Sequence, residues 1–237
     1  MTRGMVFGHI KLLKVFRTPV NMGIFHFPSN FVYWENVENH QEIKRIFLNE
    51  IRNIRVEYKN NKGGILNGST SYNPGNFDLT ILDFLRNNKL ISDKIIWNPI
   101  NNAIKQINIQ RSQNPINITH SIISTAWYTE YDEGGSFDYH THLNHSVYTD
   151  NKIYIPSFSI IYILNDENKC NATTFMNPTS MYVSTEELHE CKFKTGDINE
   201  IKEGTVLIFP SSLYHCVQNV KIPGRITIAI NVYSSHS

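Results

Sequence analysis

The chain has 237 residues, a mass of 27.5 kDa and a nearly balanced charge, with 22 Lys and Arg against 21 Asp and Glu. This balance argues against a polybasic surface for nucleic acid, and no apolar run is long enough to span a membrane. Apolar residues make up 41% and aromatic residues 12% of the chain, which is enough for a sizeable core and excludes a disordered protein.

The N-terminus, Met1-Thr2-Arg3-Gly4, does not begin a long apolar segment with a small-residue cleavage site, so we expect no secretion signal. The three cysteines are odd in number and show no paired spacing; they are Cys170, Cys191 and Cys216. An unpaired set of this kind is typical of a reducing compartment. We therefore expect a cytoplasmic protein without a nucleic-acid or membrane partner.

The sequence of residues 1–115 predicts mostly helices, which would support the rest of the fold. Asn39-His40-Gln41-Glu42 resembles a capping box, and the apolar residues behind it recur at helical spacing: Ile43, Ile46, Phe47, Ile51 and Ile54. A second, short helix is predicted over 77–85. Asn98-Pro99 indicates the start of a third helix, because proline is favoured at the first helical position. This half contains no recognisable chemical motif.

Residues 116–237 change to a period of two, which is typical of strands. The first strand spans Ile123 to Tyr131, and further short strands are predicted at 157–164, 171–176, 204–209, 213–220 and 225–233. Many short strands separated by turns favour a mainly β sandwich or jelly roll. No linker interrupts the chain, so we expect a single domain, 1–237, in which helices of 1–115 pack on one sheet of a β core at 116–237.

The chain has ten histidines, and the local sequence around His9, His26, His40 and His236 indicates no partner for them. His140 and His142 are spaced two residues apart, so in a strand both would lie on one face and could bind one metal ion. About 0.4 such pairs are expected by chance in a chain of this composition, so two half-exposed histidines without a metal are an alternative interpretation.

A second pattern follows near the C-terminus. The segment from Glu203 to His215 indicates a turn, a buried strand, a Pro-Ser corner and a lone histidine. Ten residues later, alternation places Arg225, Thr227, Ala229 and Asn231 on one strand face and isoleucines on the other. An arginine inside an apolar strand requires an anion, and its planar fork suits a carboxylate. That anion is either a bound ligand or a structural Asp or Glu.

Together these blocks resemble the Fe(II)/2-oxoglutarate-dependent oxygenases, most closely those common in phage and marine bacterial sequences. The blocks are Ala126-Trp127, Gly134-Gly135, His140-Thr141-His142, the strand from Ser159 to Leu164, Phe209 to His215, and Arg225 to Asn231. The resemblance covers about 120–233 and implies a double-stranded β-helix.

The resemblance also implies a set of roles. His140, His142 and His215 would bind Fe(II), Arg225 and Thr227 would bind the distal carboxylate of 2-oxoglutarate, and Tyr131 would lie beside it. The implied reaction uses O2 to hydroxylate a C–H bond of a small molecule or of an amino-acid or peptide side chain, with release of succinate and CO2.

Two residues depart from the superfamily pattern. His142 stands where most members have a carboxylate ligand, and Ile163 stands where related enzymes often have a second tyrosine. If His142 does not bind the metal, a vacant position remains, as in the halogenases of this superfamily. The segment Leu143–Pro156 forms an apparent insertion, either a lid or a plain surface loop. A cupin-like three-histidine metalloprotein without 2-oxoglutarate and a non-catalytic jelly-roll module are the alternative functions.

Overall fold

The structure is a computed structural model that describes residues 22–27, 30–58, 60–72, 80–110, 115–143, 146–166, 173–176 and 192–235. Its strands are β1 Met22–Phe27, β2 Asn30–Asn36, β3 Ile65–Thr70, β4 His120–His140, β5 Val147–Thr149, β6 Lys152–Asn165, β7 Thr173–Met176, β8 Lys192–Lys194, β9 Thr205–Pro210, β10 His215–Val220 and β11 Arg225–Ser235. Its helices are α1 His40–Tyr58, α2 Thr80–Asn87, α3 Lys89–Ser92 and α4 Asn98–Gln110, with a π-helical turn at Asp93–Trp97 and a 3₁₀ turn at Thr195–Asp197. None of these helices is long and apolar enough to cross a membrane.

The strands form one curled antiparallel sheet in the order β1-β2-β9-β6-β11-β4-β10-β7-β8. The long strand β4 belongs to both halves of this sheet, because residues 120–131 pair with β11 and residues 135–140 pair with β10. The orders β9-β6-β11-β4 and β4-β10-β7-β8 are those of the two faces of a double-stranded β-helix. The prediction of a mainly β jelly roll is therefore confirmed.

Two glycines allow β4 to pass from one face of the β-helix to the other. Gly134 has a φ of 74°, in the left-handed region that favours glycine. A Cβ on Gly135 would lie 2.7 Å from the carbonyl oxygen of Asn67 and 2.8 Å from that of Asp132. Both contacts are with backbone atoms, so a larger residue at 135 would force the strands apart.

The alternation of β11 separates two cores. Ile226, Ile228 and Ile230 pack outward into a cluster shared with the helices, to which α1 contributes Phe47 and α4 contributes Ile107. The odd-numbered residues of β11 face the interior of the β-helix instead. The predicted helical layer on one sheet is thus confirmed, although residues 1–115 also contain the strands β1, β2 and β3, which the sequence analysis did not predict.

α4 begins at Asn98, as the sequence predicts, but Asn98 is not an N-cap that follows a non-helical segment. Asn98 has helical dihedral angles of −65° and −48°, and its N–H donates to the Asp93 carbonyl across the π turn. The helical path therefore runs without a break from Lys89 to Gln110. Proline in a helix interior clashes with the carbonyl four residues earlier, and the wider π turn directly before Pro99 gives that carbonyl room.

His40, for which the sequence indicated no partner, lies at the start of α1 between the buried Tyr162 and the half-buried Glu203. Its Nδ1 is 2.6 Å from the Tyr162 hydroxyl on β6, and its Nε2 is 3.1 Å from Glu203 Oε1. Lys44 Nζ donates to the same carboxylate oxygen at 2.9 Å. This cluster attaches α1 to the sheet. The predicted start of the second helix at 77, residues 171–172 of a predicted strand, and Cys170, Cys191, His9 and His236 lie outside the described residues, as does the side chain of His26.

Candidate metal centre

Three histidines meet at one end of the β-helix. His140 ends β4, His142 follows it after one residue, and His215 begins β10, directly opposite His140 in the strand register. A hydrogen bond from the His142 backbone N–H to the Ser211 carbonyl, 2.9 Å long, holds the segment after β4 against the Pro-Ser corner. The three side chains offer ligand atoms that all lie within 4.8 Å of one another.

The hydrogen bonds at Nδ1 fix which nitrogen of each ring faces the centre. His140 Nδ1 is 2.7 Å from the Asp138 carbonyl and His215 Nδ1 is 3.0 Å from the Leu213 carbonyl. A carbonyl oxygen can only accept, so these Nδ1 atoms carry the proton. His142 Nδ1 donates in the same way to Asn231 Oδ1 at 2.8 Å. In the neutral rings, all three Nε2 atoms therefore present a lone pair.

The spacing of these nitrogens suits a metal ion. His140 Nε2 and His142 Nε2 are 3.2 Å apart. Metal–imidazole bonds of about 2.1 Å would place two nitrogens roughly 3.0 Å apart at a right angle and roughly 3.4 Å apart at a tetrahedral angle. Two lone pairs at this distance repel unless a cation lies between them. The donor set of three imidazoles suits iron and the other first-row divalent metals.

The three histidines are neutral at pH 7. Burial lowers the pKa of His140 below its usual value, and it lowers the pKa of His142 to about 3, with a further contribution from His140. Burial also lowers the pKa of His215, together with the other two histidines. Only the neutral imidazole binds a metal, so the site keeps its ligands available well below neutral pH.

Arg225 opens β11 at the inner end of the same cavity and is 1% exposed. One guanidinium nitrogen, Nη2, donates to Thr173 Oγ1 at 3.0 Å, whereas Nε and Nη1 are buried and have no hydrogen-bond partner in the described part of the chain. Among the described residues, no carboxylate forms an ion pair with it. Of the two anions that the sequence left open, a structural Asp or Glu is therefore not found in the described part of the chain.

Tyr131 and Thr227 lie beside Arg225 in the same cavity. The arginine Cζ is 5.5 Å from the centroid of the Tyr131 ring, and Tyr131 and Thr227 both line the cavity. Burial raises the pKa of Tyr131 to about 12, although Arg225 opposes the shift, so the phenol is neutral. Ile163 pairs with Thr227 in the sheet but packs into the apolar cluster of the β-helix interior, away from the cavity wall.

The cavity holds about 370 Å³ of empty space, including its opening to solvent. Its lining brings together all six predicted site residues: His140, His142, His215, Arg225, Thr227 and Tyr131. The rest of its wall is mostly apolar, formed by Trp127, Phe137, Ile161, Val217 and Ala229, and none of the described lining residues is acidic. The histidines lie together with a buried cation for which the described residues offer no counter-ion.

Two residues with direct contacts to the site were missed by the sequence analysis. Thr173 holds Arg225, and nothing in the local sequence of its short strand indicates this contact. Asn231 holds His142, and here a signal was present, because the period of two places Asn231 on the same face of β11 as Arg225. The segment Leu143–Pro156, left open as a lid or a surface loop, contains a β5–β6 hairpin whose turn residues Asp150 and Asn151 have positive φ.

No protein-family model matches this sequence, and no curated protein matches it significantly. Several solved structures resemble the fold. A prolyl-4-hydroxylase from Pseudomonas putida is 12% identical, with a TM-score of 0.42 and coverage of 87% of this chain and 92% of its own. HygX from Streptomyces hygroscopicus, solved with nickel, 2-oxoglutarate and hygromycin B, is 10% identical, with a TM-score of 0.48 and coverage of 86% and 82%.

A viral collagen prolyl hydroxylase from Paramecium Bursaria Chlorella virus-1, solved with 2-oxoglutarate, is 12% identical, with a TM-score of 0.44 and coverage of 84% of this chain and 94% of its own. With such low identities and with TM-scores below 0.5, these likenesses assign neither a family nor an activity to this chain. The function must be argued from the chemistry of the site.

Proposed function

We propose that this chain is a non-haem Fe(II)- and 2-oxoglutarate-dependent dioxygenase that hydroxylates a C–H bond. The observation that carries the proposal is Arg225, a buried cation with two donors that no described residue fills, in the same cavity as three convergent imidazoles. A metal alone would explain the histidines but would not explain the arginine. A ligand with a metal-chelating end and a distal carboxylate accounts for both.

The three histidines would hold the metal through Nε2. Their Nδ1 protons are already bound to Asp138 O, Leu213 O and Asn231 Oδ1, so the rings are oriented before metal binding. With His142 as the third ligand, no protein carboxylate offsets the charge of the ion. A dianionic ligand would then bind a centre of charge +2 rather than +1, which strengthens its attraction.

Arg225 would receive the distal carboxylate of 2-oxoglutarate through its two free donors, while Thr173 keeps the guanidinium in place. The Thr227 hydroxyl and the neutral Tyr131 phenol line the same end of the cavity. When bound, iron and 2-oxoglutarate supply the oxidative chemistry, in which O2 is consumed and succinate and CO2 are released as the substrate is hydroxylated. The apolar wall limits the access of water to this reaction.

The direct test is an anaerobic titration of the Fe(II)-loaded protein with 2-oxoglutarate, followed by the visible charge-transfer band that chelation by a keto acid produces. We expect one iron per chain and a saturable band. Glutarate, which has the distal carboxylate but no keto acid, should compete without producing the band. A protein that binds iron but gives no band would be the three-histidine metalloprotein without 2-oxoglutarate. A protein that binds no stoichiometric metal would be the non-catalytic module.

The finer assignments are proposals as well. The sequence blocks from Ala126 to Asn231 support a relation to the oxygenases of phage and marine bacteria, and the free thiol of Cys216 supports a reducing, cytoplasmic location. The predicted single domain over 1–237 also stays a prediction. For the substrate we propose a small molecule or an amino-acid or peptide side chain, because the wall beside the histidines is mostly apolar.

A further inference from the structure

Asn231 lies behind His142, on the side of the imidazole that faces away from the metal centre. Its Oδ1 accepts the hydrogen bond from His142 Nδ1 at 2.8 Å, and the residue is 2% exposed. We infer that Asn231 is a positioning residue that turns His142 toward the metal and, because its amide is neutral, keeps the charge of the centre at +2. This inference rests on the proposed function.

The Asn231 amide also contacts both neighbouring strands. The Ser159 hydroxyl on β6 donates to Asn231 Oδ1 at 3.1 Å, and Asn231 Nδ2 donates to Thr125 Oγ1 on β4 at 2.9 Å. Thr125 and Ser159 are also the backbone register partners of Asn231. A hydroxyl can donate or accept, so His142 decides which way the amide points: when its Nε2 binds a metal, its Nδ1 carries the proton and requires the amide oxygen. The side chain is therefore held with its oxygen toward the imidazole.

The chemistry of this acceptor matters because it sets the basicity of the ligand. A carboxylate behind a metal-bound imidazole makes the imidazole a stronger ligand and adds a negative charge to the centre. The acceptors behind His140 and His215 are backbone carbonyls, which are neutral. A neutral amide behind His142 completes a set in which every Nδ1 acceptor is uncharged. That arrangement favours the binding of a dianionic ligand rather than the highest affinity for the metal.

Asn231→Asp changes this charge with little change of shape. The carboxylate keeps an oxygen opposite His142 Nδ1, and the Ser159 and Thr125 hydroxyls can both donate to it. We expect metal binding to become about tenfold tighter, and 2-oxoglutarate binding to the metal-loaded protein to become roughly tenfold weaker. Asn231→Ala should weaken metal binding by about 10- to 100-fold, because His142 loses its orienting partner. Opposite effects of the Asp variant on the two affinities are not expected from a residue that only supports the fold.

The experiment uses the full chain, made metal-free by chelation and titrated anaerobically with Co(II), whose visible bands report the ligand geometry. The Co(II)-loaded proteins are then titrated with 2-oxoglutarate. Asn36→Asp is the matched control, because Asn36 Oδ1 accepts from Thr205 Oγ1 at 2.7 Å on β2, three strands from β11 in the sheet order. The control should have the affinities and the Co(II) spectrum of the wild type. If Asn231→Ala does not fold, Asn231→Asp carries the test.

Two results would overturn the inference while leaving the proposed function intact. In one, the wild type binds Co(II) and 2-oxoglutarate, and the Asn231 variants show the same affinities and spectrum. In the other, Asn231→Asp weakens both affinities together, which would indicate general disruption of the site. A wild type that binds Co(II) but not 2-oxoglutarate would refute the proposed function, and the Co(II) titrations would still decide whether Asn231 positions His142. A wild type that binds no Co(II) would overturn both.

Discussion

Replacing Arg225 with methionine should make the ligand-free protein at least as stable while removing its affinity for 2-oxoglutarate. Methionine has a similar length and no charge, so it fills the same space. Each buried donor without a partner costs about 1–3 kcal/mol, and among the described residues Arg225 has two such donors. Replacing buried charge by an apolar side chain of similar volume is often neutral or stabilising by about 1–4 kcal/mol. For a chain of this size, 1 kcal/mol shifts Tm by about 2–4 °C.

The loss in binding should be much larger than this change in stability. Removing one partner of a buried, two-pronged carboxylate pair costs about 2–5 kcal/mol, or roughly thirty- to several-thousandfold in affinity. Arg225→Lys should recover only part of this affinity, because a point charge cannot reproduce the fork of the guanidinium. Iron should still bind at one ion per chain in both variants, since neither change removes a histidine and none of the three histidines lies on β11.

The assay pairs urea unfolding of the metal-free protein with anaerobic titration of the Fe(II)-loaded protein by 2-oxoglutarate. Lys44→Met is the matched control for stability, because Lys44 is a buried cation that does have a counter-ion, Glu203, at 2.9 Å. That variant should be destabilised, since it leaves the carboxylate without its cation, and its 2-oxoglutarate affinity should not change. If Arg225→Met is destabilised as Lys44→Met is, and titrates like the wild type, Arg225 is a structural residue and the reasoning fails.

Three further predictions concern the histidines of the metal centre and the glycine pair of β4. His215→Ala should abolish stoichiometric metal binding, measured by elemental analysis of the purified protein, while the far-UV circular dichroism stays unchanged. The metal-free protein should lose stability as pH falls below about 6.5, by about 1.4 kcal/mol per pH unit for each of the buried His142 and His215, because the unfolded chain takes up protons that the folded chain excludes. Gly135→Ala should destabilise the fold by about 1–3 kcal/mol in urea unfolding, because its Cβ meets two backbone carbonyls.

Each of these predictions has a contradicting result. A His215→Ala protein that retains one metal per chain would show that the three histidines do not form the metal site. Equal unfolding midpoints at pH 7 and pH 5 would mean that the histidines are protonated in the folded state. For Gly135→Ala, the control is Gly224→Ala, where an added Cβ has one neighbour within 4 Å among the described residues, at 3.9 Å. Gly224 has a positive φ, so Gly224→Ala measures the cost of backbone strain without close contacts. If Gly135→Ala loses no more stability than Gly224→Ala, the close contacts at Gly135 do not have the effect proposed for them.

The geometry of the site was predictable where a short strand pattern determines which face a residue occupies. The alternation from Arg225 to Asn231 places the isoleucines under the helices and Arg225 and Thr227 in the cavity, as the structure has them. Both faces of β11 are buried, so a polar residue on one of them needs a specific partner. The same alternation could have identified Asn231 as a residue of the site.

The features that were missed depend on contacts that local periodicity does not contain. His40 is paired by Tyr162 and Glu203, which come from strands and turns far along the chain. Thr173 meets Arg225 only because β7 pairs with β10 on the opposite face of the β-helix. Asn98-Pro99 has the sequence of a helix start, but the preceding π turn lets the helix continue through it. In each case tertiary packing overrides the local signal.

The division of the metal ligands between two strands has a consequence for folding. His140 ends β4 and His142 follows two residues later, whereas His215 begins β10. The segments between them include β6, β7 and β9. A metal ion bound to all three would act as a cross-link that closes this long stretch of chain, so it can form only after most of the β-helix has assembled. Metal binding should therefore slow unfolding far more than it speeds folding, and the β4–β10 pairing should gain the most protection from hydrogen exchange.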